Sequence, residues 1–145
     1  MIKFNSPQRV LSFSESELRA AMEIENLAGD GPFNSKVQSA LEQMLNSQLA
    51  FLTPSCTAAL ELAALVLDIK AGDEVILPSN TFVSTANAFV LRGATPVFVD
   101  CDPRTLNMCP IQVEAAITNK TKCIVPVHYA GVSCAMSELM SLTEN

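Results

Sequence analysis

Short apolar runs alternate with helical patterns along most of the chain. Runs that are apolar on both faces are typical of strands in a parallel sheet, because helices cover both faces of such a sheet. Four runs predict buried strands of this kind: Leu49–Leu52, Glu74–Leu77, Pro96–Val99 and Cys123–Val127. The predicted fold class is therefore α/β, with a mostly parallel sheet and flanking helices.

The segments between these runs predict the crossover helices that parallel strands need for their connections. They span Ala58–Asp68, Ser84–Arg92 and Ile111–Ile117. The first of them is apolar almost all round, with Glu61 its only charge before Asp68, which predicts burial on most sides. A last helical pattern, over residues 135–142, has no strand after it, so we expect an incomplete α/β domain.

Two further helices are predicted ahead of the first apolar run. Ser14–Glu17 has the spacing of a capping box, which predicts a helix to about Leu27. Apolar positions three and four residues apart predict a second helix over Asn34–Asn46. We therefore expect an amino-terminal helical segment, residues 1–47, followed by the first part of the α/β domain, residues 48–145.

Composition limits the classes of function that the chain can have. Apolar residues make up 49% and charged residues 17%, which is typical of a folded protein. The net charge is −6 and no basic stripe is present, which argues against a nucleic-acid partner. Five cysteines without a C-x-x-C pair, in a chain that begins without an apolar leader, favour the reducing cytoplasm. The longest apolar run, residues 62–67, is too short for a bilayer and argues against a membrane protein.

The residues that follow each predicted strand are candidates for a site, because open α/β sheets bind ligands outside the carboxyl ends of their strands. Ser55, Cys56 and Thr57 precede a predicted helix. Either the backbone N–H groups at this helix start bind an anion, or the Ser55 or Thr57 hydroxyl only caps the helix. Phe82 follows the second run and either stacks on a flat heterocycle or belongs to the core. His128 follows the fourth run and either serves a site or is satisfied by backbone groups in a turn.

Other chemistries find little support in the residue pattern. The five glycines form neither G-x-G-x-x-G nor a Walker loop, which disfavours a nicotinamide or P-loop enzyme. A single histidine and scattered cysteines argue against a metal site. Asp100 and Asp102 flank Cys101, but the Asp-Pro step that follows predicts a turn rather than a catalytic pair of carboxylates.

The longest motif carries a family resemblance. Two stretches of the chain closely resemble the DegT/StrS-type sugar aminotransferases: TPSCTAALELAALVLDIKAGDEVILPSNTFVSTANAFVLRGATPVFVDCDP and the later CIVPVHYAG. This resemblance implies the aspartate-aminotransferase fold, pyridoxal phosphate as cofactor, a nucleotide-linked keto sugar and glutamate as substrates, and a homodimer. The runs GDGPF, PSCT and TFVSTANAFVLRGA are most similar to members that make dTDP-4-amino-4,6-dideoxygalactose for a bacterial surface polysaccharide.

The resemblance also implies roles for individual residues. Ser55, Cys56 and Thr57 match the segment that holds the cofactor phosphate, and Phe82 matches the aromatic residue on one face of the pyridine ring. Cys56 stands where the family more often has glycine or alanine, but the expected contact is through the backbone N–H. His128 lies in the family's V-H-x-x-G run, near the pocket.

The family's Schiff-base lysine and the aspartate that pairs with the pyridine nitrogen are expected beyond the end of this chain. The lysines present, none of which is expected to reach the cofactor, are Lys3, Lys36, Lys70, Lys120 and Lys122. We therefore assign no catalytic residue and expect the chain alone to be inactive. Two alternatives stay open: a truncated gene product without activity, and part of a related sugar dehydratase in which histidine replaces the lysine.

Overall fold

The computed structural model describes residues 15–24 and 29–143. The chain divides into two compact units, residues 1–52 and residues 53–145. Every helix in these described ranges is too short or too polar to cross a membrane.

The described part of the first unit contains two helices, α1 (Glu15–Met22) and α2 (Pro32–Leu45). Helix α2 begins with proline, which suits a first turn because N–H groups there have no acceptor within the helix. Asn46, directly after the helix, caps it in the left-handed conformation. The predicted second helix is confirmed to within two residues at its start. The first helix ends at Met22, earlier than predicted, and its predicted cap at Ser14 lies outside the described residues.

The predicted strand over Leu49–Leu52 is wrong. This segment has no regular secondary structure, and Leu49 and Phe51 are 70% and 72% exposed. A strand forms only where a neighbouring strand accepts its backbone hydrogen bonds, and the described part of the first unit contains none.

The second unit is built on a three-stranded parallel sheet in the order β2-β1-β3. Its strands are β1 (Glu74–Pro78), β2 (Thr95–Val99) and β3 (Thr121–Ile124). Val75 to Pro78 are fully buried because β1 has a neighbour on each side, whereas β2 and β3 are edge strands within the described residues. The other three predicted strands are thus confirmed, although β3 begins two residues and ends three residues before its predicted bounds.

Helices cover both faces of this sheet. They are α3 (Cys56–Val66), α4 (Val83–Val90), α5 (Pro110–Ala116) and α6 (Met136–Ser141). Side chains of β1 alternate between two core clusters, since successive residues of a strand point to opposite faces. The first cluster contains Ala64, Ile69, Val75, Leu77, Ala88, Phe89 and Ala94. The second contains Ile76, Val99, Met108, Val113, Cys134 and Leu139.

Helix α3 is much less buried than its apolar sequence predicts. Ala64 is its only buried residue, and Leu65 and Val66 are 52% and 77% exposed. Ala64 and Leu60 pack into the first core cluster and α4 lies alongside the helix, but most of the other α3 side chains are exposed. The prediction of burial on most sides is therefore wrong for this chain.

Candidate cofactor site

Chain direction brings three of the predicted site segments to the same end of the sheet. Helix α3 is connected through a short turn to the start of β1, so it runs back along the strand. A helix of 11 residues and a strand of 5 are both about 17 Å long, so the start of α3 is level with the end of β1. Phe82 and His128 follow the carboxyl ends of β1 and β3. Ser55–Thr57, Phe82 and His128 therefore lie towards the carboxyl edge of the sheet.

The start of α3 combines a helix cap with free amide donors. Ser55 has extended backbone, and its Oγ accepts a hydrogen bond of 3.1 Å from the Ala58 N–H. The Thr53 hydroxyl donates to the Ser55 carbonyl over 2.9 Å, which steadies the turn. The amide N–H groups of Cys56 and Thr57 have no acceptor among the described residues, and both residues are exposed. Capping and anion binding are therefore compatible, because the cap uses the third amide and leaves the first two.

Phe82 is exposed rather than part of the core. It immediately precedes α4 and is 74% exposed, whereas Phe89, which lies within α4, is 2% exposed. Its backbone is held in place nonetheless, because its carbonyl accepts from the Thr85 N–H over 3.0 Å and the Thr81 hydroxyl bonds to the Thr85 hydroxyl. The result is an uncovered aromatic ring on an ordered backbone, which suits stacking on a flat ligand.

His128 uses one ring nitrogen within the fold. Its Nδ1 accepts a hydrogen bond of 3.1 Å from the Cys134 N–H, and the residue is exposed. A neutral imidazole that accepts at Nδ1 carries its proton at Nε2, so the ring offers one N–H donor to a ligand. Both sequence-based alternatives thus apply: a backbone group satisfies one nitrogen, and the other remains for a site.

Asn107 is a buried polar residue that the sequence did not single out. It is 3% exposed, and its Nδ2 donates to the carbonyls of Val132 and Ser133, each over 3.0 Å. Its Oδ1 accepts from the Tyr129 N–H over 3.0 Å. In the sequence it follows an Asp-Pro turn and looks like one more turn residue, so only its apolar neighbours Leu106 and Met108 hint at burial.

The two aspartates after β2 form the predicted turn. The Asp102 carboxylate accepts from the backbone N–H groups of Arg104 and Thr105 over 2.7 and 3.3 Å. The Arg104 backbone N–H, followed by the Arg104 guanidinium, lowers the pKa of Asp102 below its ordinary value. Asp100 instead accepts from the Cys101 N–H over 2.8 Å. Each carboxylate is thus occupied with local backbone, as expected for a turn.

The lysines of the second unit lie at the opposite end of the sheet. Lys70 precedes β1 and pairs with Asp68 over 2.7 Å, while Lys120 and Lys122 lie at the start of β3. Lys36 belongs to the first unit, and Lys3 lies outside the described residues.

Comparison with known proteins identifies the family. Residues 11–145 match the profile of the DegT/DnrJ/EryC1/StrS aminotransferase family. The chain belongs to this family. Its predicted fold class is confirmed by solved structures of pyridoxal-phosphate-dependent aminotransferases, and the predicted cofactor, pyridoxal phosphate, is that of the family.

Three solved structures indicate how far the similarity extends. A protein described as a sugar aminotransferase from Streptococcus pneumoniae, in its pyridoxal phosphate form, matches with a TM-score of 0.82 and 34% identity over 88% of this chain and 32% of that one. An aminotransferase from Psychrobacter cryohalolentis matches with a TM-score of 0.82 and 36% identity over 96% and 36% of the two chains. NtdA from Bacillus subtilis, with bound pyridoxamine phosphate, matches with a TM-score of 0.78 and 32% identity over 89% and 29%. The chain therefore spans about a third of the length of these relatives.

The residues at the carboxyl edge fit a phosphorylated pyridine chemically. Two free amide N–H groups at a helix start suit a phosphate, and the exposed face of an aromatic ring suits a flat heterocycle. No lysine charge is needed for such a phosphate site, because the helix start is itself positive.

Proposed function

We propose that this chain provides one wall of the cofactor site of a pyridoxal-phosphate-dependent sugar aminotransferase. The observation that carries the proposal is the pair of free amide N–H groups at Cys56 and Thr57, at the same end of the sheet as the exposed ring of Phe82. We assign residues 48–145 to the first part of the cofactor-binding domain and residues 1–47 to a helical segment that precedes it.

In this proposal the start of α3 binds the cofactor phosphate. The Cys56 and Thr57 amides donate to phosphate oxygens, and the helix dipole adds to their attraction. The Ser55 Oγ already accepts from Ala58, so its own proton remains free to be donated to the same anion. The Cys56 side chain is exposed, which agrees with a contact made through its backbone alone.

Phe82 covers one face of the pyridine ring in the same proposal, and His128 offers its Nε2–H nearby. When bound, pyridoxal phosphate supplies the electron sink for amino-group transfer. The chain's own contribution is to bind the phosphate, orient the ring and keep water from one of its faces. We assign no catalytic lysine to residues 53–143, because Lys70, Lys120 and Lys122 lie at the amino ends of the strands.

We further propose that the whole enzyme transfers the amino group of glutamate to a 4-keto-6-deoxy sugar of a dTDP-sugar for a surface polysaccharide. The GDGPF, PSCT and TFVSTANAFVLRGA runs support this specificity, which is that of the WecE-type dTDP-4-amino-4,6-dideoxygalactose transaminases. We expect the enzyme to act as a cytoplasmic homodimer, by resemblance to the family and from the cysteine pattern.

Calorimetric titration of the chain with pyridoxamine 5'-phosphate tests the proposal. This probe binds without a Schiff base, and pyridoxamine without the phosphate is the matched control. We expect the phosphate to strengthen binding by at least about tenfold, because a hydrogen bond to a charged group contributes about 1.5–3 kcal/mol. Equal affinity for both compounds, or no binding of either, would contradict the proposed site.

A further inference from the structure

The segment from His128 to Cys134, called the histidine loop from here on, has little apolar burial to hold it. Cys134 is its only buried residue, and the other six are exposed. Its backbone is also unfavourable at Ala130, which has φ 51° although its side chain disfavours this left-handed conformation. A loop of this kind keeps one conformation only if specific polar contacts hold it.

Asn107 supplies these contacts from a different part of the chain. Its side-chain amide bonds to the backbone near both ends of the histidine loop, to the Tyr129 N–H and to the carbonyls of Val132 and Ser133. Its own backbone is held as well, because its carbonyl accepts from the Asp102 N–H over 2.9 Å. A buried, fully engaged amide therefore ties the histidine loop to the turn after β2.

Closing the loop in this way brings Cys134 back to the start of the loop. The Cys134 N–H then donates to His128 Nδ1 over 3.1 Å, and its thiol donates to the Val127 carbonyl over 3.2 Å. The first of these bonds selects the ring tautomer, because an Nδ1 that accepts leaves the proton on Nε2.

We propose that Asn107 is a positioning residue: by seating the histidine loop, it keeps His128 as an Nε2–H donor at the carboxyl edge of the sheet. The acceptor is an oxygen of the bound cofactor or substrate, and only this part of the inference rests on the proposed function. An asparagine suits the position because it offers one acceptor and two donors on one short, rigid side chain.

Nitrogen NMR of the imidazole tests the proposal directly. The chain has a single histidine, so both ring nitrogens of the ¹⁵N-labelled chain are assigned without ambiguity. At a pH where the ring is neutral, we expect one tautomer, with Nε2 protonated and Nδ1 not. In Asn107→Ala we expect averaged signals from two tautomers, and amide exchange faster by about tenfold or more at Tyr129 and Cys134.

Two further variants separate positioning from a general loss of structure. Asn107→Asp keeps the acceptor for the Tyr129 N–H but turns a carboxylate towards two carbonyls. We therefore expect the Tyr129 amide to stay protected from hydrogen exchange. The imidazole should no longer hold a single Nε2–H tautomer, and hydrogen exchange of the Cys134 amide should become faster. Asn119→Ala removes an exposed asparagine from the turn before β3 and is expected to change neither signal.

A single Nε2–H tautomer that persists in a folded Asn107→Ala chain would overturn the proposal, as would mixed tautomers in the unaltered chain. If neither Asn107 variant folds, the unaltered chain decides: slow exchange at Tyr129 and Cys134 with one tautomer supports the inference, and fast exchange overturns it. Pyridoxamine phosphate is titrated into the same sample. Binding with an averaged ring refutes this inference alone, whereas a fixed tautomer without binding refutes only the proposed function.

Discussion

Replacing Cys56 with proline removes one amide donor from the start of α3 and is expected to leave the helix intact. Cys56 is the first residue of α3, a position that has no intrahelical acceptor for its N–H and where proline is favoured. The preceding residue, Ser55, has φ −160° and ψ 161°, which is the extended backbone that a following proline requires. Helices α2 and α5 already begin with Pro32 and Pro110. We therefore expect the free energy of unfolding to change by less than about 1 kcal/mol.

The same substitution should weaken cofactor binding strongly. If the Cys56 N–H donates to a phosphate oxygen, its loss removes about 1.5–3 kcal/mol of binding energy, which corresponds to roughly 10- to 150-fold in the dissociation constant. Calorimetric titration with pyridoxamine 5'-phosphate measures this change. Cys56→Ala is the matched control, because it removes the thiol but keeps the backbone N–H, and its affinity should equal that of the unaltered chain.

Two outcomes would refute this reasoning. Unchanged affinity in a Cys56→Pro chain that melts like the unaltered one would mean that this amide does not contact the phosphate. An equal loss of affinity in Cys56→Ala would mean that the thiol, rather than the backbone, makes the contact.

Three further predictions follow from burial and backbone geometry. Phe82→Ala should change the free energy of unfolding by less than about 0.5 kcal/mol and weaken pyridoxamine phosphate binding by about 2- to 10-fold. Phe89→Ala should lower the free energy of unfolding, measured in urea, by about 3–5 kcal/mol. Equal losses of stability in the two variants would contradict the assigned exposures. Gly93→Ala should lower the free energy of unfolding in urea by about 1–3 kcal/mol, because Gly93 has φ +91° and an added Cβ would lie 3.2 Å from backbone atoms of Ala71. An unchanged urea midpoint would refute this prediction. Burial raises the pKa of the Cys123 thiol, so the folded state keeps this proton longer than the unfolded state, and unfolding free energy should fall as pH rises above about 9. Cys123→Ala should reduce this slope, and an unchanged slope would exclude Cys123 as its source.

Local pattern determined much of the fold. Three strands and all the crossover helices appear close to where the sequence predicts them, because each is long enough to display its own periodicity or apolar run. The turn at Asp102 and the cap at Ser55 were likewise predictable, since both depend on hydrogen bonds to residues only two or three positions away. The family could also be identified from the sequence, because its motifs are continuous stretches of residues.

Tertiary structure decided the features that depend on distant partners. Leu49–Leu52 has the composition of a strand but has no neighbouring strand in the described part of its unit. Helix α3 has the composition of a buried helix, but most of its side chains are exposed. Phe82 and Phe89 are the same residue type seven positions apart, yet one is exposed and the other lies in the core. Asn107 bonds to backbone groups 22 to 26 residues away. Composition and spacing report what a side chain prefers, whereas burial and long-range hydrogen bonds depend on what the folded chain places beside it.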